Sequence, residues 1–94
     1  MNLQARSIVE SDQYKRERDV IEADCKRWDD QMTAVIAMLA SNPQEAGRHS
    51  GHGPFWYITT EYGSFITPLL IVYTFDENHV CLESVRFGHV DEMN

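Results

Sequence analysis

Leu69-Leu70-Ile71-Val72-Tyr73-Thr74-Phe75, then Asp76-Glu77-Asn78-His79, then Val80-Cys81-Leu82-Glu83-Ser84-Val85-Arg86-Phe87: the reading of this stretch decides the fold. The first seven residues are apolar almost throughout and rich in β-branched and aromatic side chains, the pattern of a central strand covered on both faces. Asp76 to His79 supply turn residues between two such runs, so they read as a hairpin turn. Val80 to Phe87 alternates less cleanly but fits the returning strand. One strand upstream, Phe55 to Thr60 is again aromatic and β-branched. Together these segments predict three antiparallel strands in the C-terminal half.

The N-terminal half has another period. From Tyr14 to Ser41 there is neither Gly nor Pro, and Tyr14, Ile21, Cys25, Trp28, Met32, Val35, Ile36 and Leu39 recur at spacings of three and four. That is a helical stripe. The first half exposes the mixed charges of Lys15–Arg16–Glu17–Arg18–Asp19, and Met32 to Ala40 is apolar on most sides and so expected to be buried. One unbroken helix would be about 42 Å long. The stripe favours one helix, and compactness favours two, with a break near Ala23–Lys26 and a restart at Asp24 or at Trp28–Asp29. Two packed as a helical hairpin is the expected arrangement.

Ser11 and Asp12 are suited to cap the first helix. Gln4 to Val9 precedes them as a short strand. Asn42–Pro43 is expected to stop the second helix, and Gln44 to Pro54, with its glycines and proline, reads as a loop. The expected fold class is therefore α+β, in the order β-α-α-β-β-β, as a single domain over residues 1–94.

Charge is uneven. The net value is −7. Residues 1–30 hold six basic side chains (Arg6, Lys15, Arg16, Arg18, Lys26, Arg27) against eight acids, whereas residues 31–94 hold only Arg48 and Arg86 against seven. A nucleic-acid binder ordinarily presents a basic face that releases counterions from phosphates, and here the sheet half repels phosphate on average. The longest apolar run, Pro68 to Tyr73, is far short of the roughly 20 residues that span a bilayer. Met1 to Ser7 contain no apolar h-region of a secretory signal. A cytoplasmic protein with two reduced thiols, Cys25 and Cys81, and no membrane association is expected.

Three groups of residues are candidates for chemistry. Arg48, His49 and His52 lie in the glycine-rich loop, where two histidines at i and i+3 could ligate a metal, with His79, His89 or Cys81 to complete the set. The paired ligand spacing of structural zinc is missing, so neither a metal nor any other cofactor is expected. Arg86–Phe87–Gly88–His89–Val90–Asp91 combines an arginine suited to a phosphate with a histidine suited to acid–base work. Among the aromatics, alternation puts Trp56 and Ile58 on the face opposite Phe55 and Tyr57, which leaves Tyr57 and Tyr62 free for a ligand.

The layout resembles the RelE/ParE superfamily of type II toxins. The features that carry the resemblance are Trp28–Asp29–Asp30 followed by Met32–Leu39, the Asn42–Pro43 stop, Trp56–Tyr57–Ile58, Pro68–Leu69–Leu70–Ile71–Val72–Tyr73, and a last strand ending near Gly88–His89. The resemblance implies the toxin of a toxin–antitoxin system, with a cognate antitoxin as partner. In the ribosome-dependent members it implies metal-independent cleavage of mRNA, in which a sugar 2′-OH attacks the adjacent phosphate. Carried over, His89 matches the C-terminal acid/base, Arg86 the late-strand arginine, and Arg48 with His49 or His52 the basic residues before the second strand. His49, Tyr57 and Tyr62 would contact substrate. The chain departs from that pattern in having no lysine after Lys26. The alternative is a non-enzymatic acidic binding protein on the same scaffold: a gyrase-type poison, a toxin relic or a nucleic-acid mimic.

Overall fold

Ser11 closes the first strand and opens the first helix. Its Oγ accepts the Tyr14 N–H at 3.0 Å, satisfying one of the amides a helix start leaves orphaned. The same hydroxyl donates to the Glu83 carbonyl at 3.0 Å, which ties this corner to the last strand. The computed structural model describes residues 5–25, 27–60 and 68–88. In chain order they form β1 (Ser7–Glu10), α1 (Asp12–Ile21), a 3-10 turn (Glu22–Asp24), α2 (Trp28–Ser41), α3 (Pro43–Ala46), β2 (Arg48–His49), β3 (Trp56–Thr59), β4 (Leu69–Phe75) and β5 (His79–Phe87).

The helical span is broken where compactness required it. Cys25 is extended and buried, and Arg27 is left-handed at φ 62°, so the chain turns between the 3-10 segment and Trp28. The stripe survives the break. Tyr14, Cys25, Trp28, Met32, Val35 and Leu39 are buried and Ile21 and Ile36 pack beside them. Burial of α2 is nevertheless confined to one face, because Thr33, Ala34, Ala37 and Met38 are exposed. The expectation that Met32 to Ala40 is enclosed on most sides is thereby corrected: small alanines tolerate solvent and helical geometry lets one stripe alone reach the sheet.

Asn42–Pro43 ends α2 but also starts α3. Asn42 Oδ1 accepts the Glu45 N–H at 3.4 Å and Pro43 occupies the first turn, where its missing N–H costs nothing. The segment expected to be loop thus begins with a helical turn. It then contributes β2, for which Gly47 is required. A Cβ there would collide with the Tyr57 carbonyl and the Tyr73 hydroxyl.

The sheet corrects the three-stranded antiparallel expectation. It has five strands in the order β1-β5-β4-β3-β2 and is mixed. β1 lies parallel to β5, with Ile8 opposite Val80 and Glu10 opposite Leu82, because the helices carry the chain away before the meander returns it. The other pairs are antiparallel, and β2 adds a two-residue edge opposite Trp56 and Tyr57. The β4–β5 turn forms as expected. The Asp76 carboxylate accepts the Asn78 and His79 N–H groups at 2.7 Å each, and these bonds hold it below the usual carboxylate range. Val72 lies opposite Ser84 and Tyr73 opposite Leu82, so Glu83 is the extra residue of a bulge in β5.

Among the described residues only one sheet face is fully covered. Leu69, Ile71 and Tyr73 of β4 join Val80, Leu82 and Val85 of β5 and Ile58 of β3 in the core, while Leu70, Val72 and Thr74 are half-buried on the other face. β4 is therefore not enclosed on both sides as its apolar sequence suggested. The Tyr73 hydroxyl donates to the Pro43 carbonyl at 2.6 Å inside the core. Among the described residues no helix is long and apolar enough to cross a membrane.

Candidate functional site

Register places the candidates on two opposite faces. Cross-strand partners share a face, so Arg48, Tyr57, Val72 and Ser84 form one row on the face away from the core, and Thr59, Leu70 and Arg86 form the next. Arg48, Tyr57 and Arg86, three of the residues singled out in the sequence, are thus brought to one surface. They are not adjacent. Arg48 and Arg86 are three strand spacings and two residues apart, about 16 Å between Cα atoms by standard sheet geometry.

Arg86 is also not isolated from acid. Past Leu82, β5 has no β1 residue opposite it, and α1 lies beside that stretch. Glu17 of α1 accepts the Val85 N–H through Oε1 at 3.1 Å, and its Oε2 stands 3.9 Å from Arg86 Nε and 3.4 Å from Gln13 Nε2. One carboxylate therefore satisfies an edge amide and partly neutralises the guanidinium. An apolar groove of about 430 Å³ lies here, lined by Val20, Ile21, Val85 and Phe87 and flanked by Arg16, Glu17 and Arg86.

His49 falls on the other face. Its ring stands edge-on to Trp56, with centroids 5.3 Å apart and planes at 84°. Nδ1 accepts the Gly51 N–H at 3.0 Å and Nε2 lies 3.0 Å from the Gly53 carbonyl. His49 thus folds its own turn and is directed away from the Arg48–Tyr57 row. His52 is exposed in that turn, and its N–H donates to Ser50 Oγ at 3.1 Å. Tyr62 and His89 lie outside the described residues.

Two residues of this surface were missed in the sequence. Glu17 was read as part of an exposed charged face, although its position between Tyr14 and Ile21 on the helical stripe was the available signal. Ser84 gave none. It is buried, and its Oγ has no hydrogen-bond partner among the described residues. Nearby, Glu83 accepts from Thr74 Oγ1 at 2.9 Å, and burial followed by the Glu83 contact pushes the Cys81 thiol up. Cys81 is a free thiol.

No family model, no curated protein and no solved structure matches this chain. The chemistry of the site therefore rests on its own geometry. Among the described residues no three His, Cys, Asp or Glu side chains are grouped to hold a metal. What the face offers is a half-buried tyrosine, two arginines far apart, and a carboxylate beside one of them.

Proposed function

We propose that this chain is a non-enzymatic binding protein on a RelE/ParE-like toxin scaffold, acting on a basic protein partner in the cytoplasm. One observation carries the reading. The arginine best suited to clamp a phosphate, Arg86, shares Glu17 with a backbone amide and stands about 16 Å from Arg48. A carboxylate at that position opposes a phosphate and favours a cationic ligand. The net charge of −7 supports the same choice. A cognate antitoxin belongs to this proposal as a second protein partner.

A second reading is favoured by the face shared by Arg48, Tyr57 and Arg86: a metal-independent endoribonuclease acting on ribosome-bound mRNA, with His89 as acid or base. Induced expression of the wild type beside Arg86→Ala and His89→Gln separates the two. The binding reading expects intact mRNA in all three strains, and a complex with a basic protein that forms at low salt and dissociates at high salt. Cleaved mRNA in the wild type, lost in both variants, would overturn it in favour of the nuclease.

A further inference from the structure

His49 meets two backbone groups whose roles admit no exchange. The Gly51 N–H can only donate, so Nδ1 must carry a lone pair. The Gly53 carbonyl can only accept, so Nε2 must carry the proton. The turn therefore requires the neutral imidazole in one tautomer. Both glycines have positive φ, 86° at Gly51 and 51° at Gly53, a conformation that other residues adopt at a cost. Around them, the Ser50 N–H donates to the Phe55 carbonyl at 3.0 Å and the Phe55 N–H to the His52 carbonyl at 3.2 Å. Ser50 Oγ donates to the His52 carbonyl at 3.1 Å. Among the described residues the His49 ring is the one side chain that reaches across this turn from its first strand to Gly51 and Gly53.

We propose that residues 49–55 form a pH-sensitive latch, closed by neutral His49 and released when its ring takes a second proton. A proton on Nδ1 removes the acceptor of the Gly51 N–H and sets two donors against each other, whereas the Nε2 bond to Gly53 survives. The ring then shifts off the Gly51 N–H about its remaining bond to Gly53. Imidazole is the side chain whose unperturbed form changes charge between about pH 5 and 8. The groups facing His49 do not oppose it. Trp56 and, behind it, Phe75 at 5.4 Å are uncharged, and the Arg6 guanidinium lies beyond them, 5.7 Å from the Phe75 centroid. Arg48 and Tyr57 are on the opposite sheet face, and His52 is the other titratable group of the turn. Among the described residues His49 makes no ion pair. In acid the turn thus loosens and gains positive charge beside Arg48.

The test is the Gly51 amide followed by NMR from pH 8 to pH 5 together with the His49 ring nitrogens. At high pH the ring shows the Nε2–H tautomer. The Gly51 resonance then moves with the same midpoint as the ring, and its protection against solvent exchange falls about tenfold, the scale of one hydrogen bond. His49→Asn restores an acceptor that cannot be protonated, so Gly51 stays protected at both ends of the range. In His49→Phe Gly51 is unprotected throughout, while the thermal unfolding temperature stays near the wild-type value. His52→Gln leaves the transition in place. A Gly51 amide indifferent to His49 protonation in the wild type, or one that still titrates in His49→Asn, would overturn the latch.

Discussion

Tyr73 shows how one residue joins several parts of this molecule. Its ring is fully buried at the centre of β4, its hydroxyl meets the Pro43 carbonyl, and the absence of a side chain at Gly47 makes the space for it. Removing the hydroxyl leaves that carbonyl buried without its donor, and an unsatisfied buried group costs about 1–3 kcal/mol. Tyr73→Phe is therefore expected to lower unfolding free energy by that amount in urea melts, with an unchanged m-value. A variant as stable as the wild type would mean that water replaces the lost donor. Tyr73 was legible in the sequence as a strand residue. Its link to α3 was not, because a hydrogen bond across 30 positions has no local signature.

At the level of elements, the break between α1 and α2 was legible in outline and its chemistry was not. The stripe from Tyr14 to Leu39 passes through the corner without interruption, so periodicity alone is blind to it. Arg27 makes the turn in the left-handed region, which costs a residue with a Cβ about 1–2 kcal/mol. Its guanidinium meets Asp30 at 2.7 Å, but both side chains are more than half exposed and such pairs contribute little. Arg27→Gly is thus expected to raise stability by about 0.5–1 kcal/mol in chemical denaturation, once the entropy of glycine is set against the relieved strain. A loss of stability would show that the arginine stabilises the corner more than its backbone strains it. The short β2 belongs to the same scale. Two residues carry too little pattern to announce a strand, and it forms because the 50–55 turn returns the chain against β3.

The whole molecule responds to alkali through two buried phenols. Tyr14 is pushed up to about 12 by burial and then by the Glu10 charge, and Tyr73 to about 12 by burial, against about 10 for an unfolded chain. Both folded values lie above the unfolded one, so the native state holds its protons more tightly. The stabilisation is fully present below about pH 10 and is lost between about 10 and 12. Urea midpoints should accordingly be flat up to about pH 9.5 and fall above it, less steeply in Tyr14→Phe; an equal fall in that variant would assign the loss to other groups. By itself the sequence determined the α+β class, the helical stripe, the three C-terminal strands and the acidic balance, because each rests on a local period or on a sum. Only the tertiary structure decided that β1 joins the sheet in parallel and that β2 extends it. It alone set Glu17 between Arg86 and the β5 edge, turned His49 from the face that holds Arg48 and Tyr57, and left one face of the sheet half-open. These outcomes depend on which distant segments meet, and the contacts that settle them exist only once the chain has closed on itself.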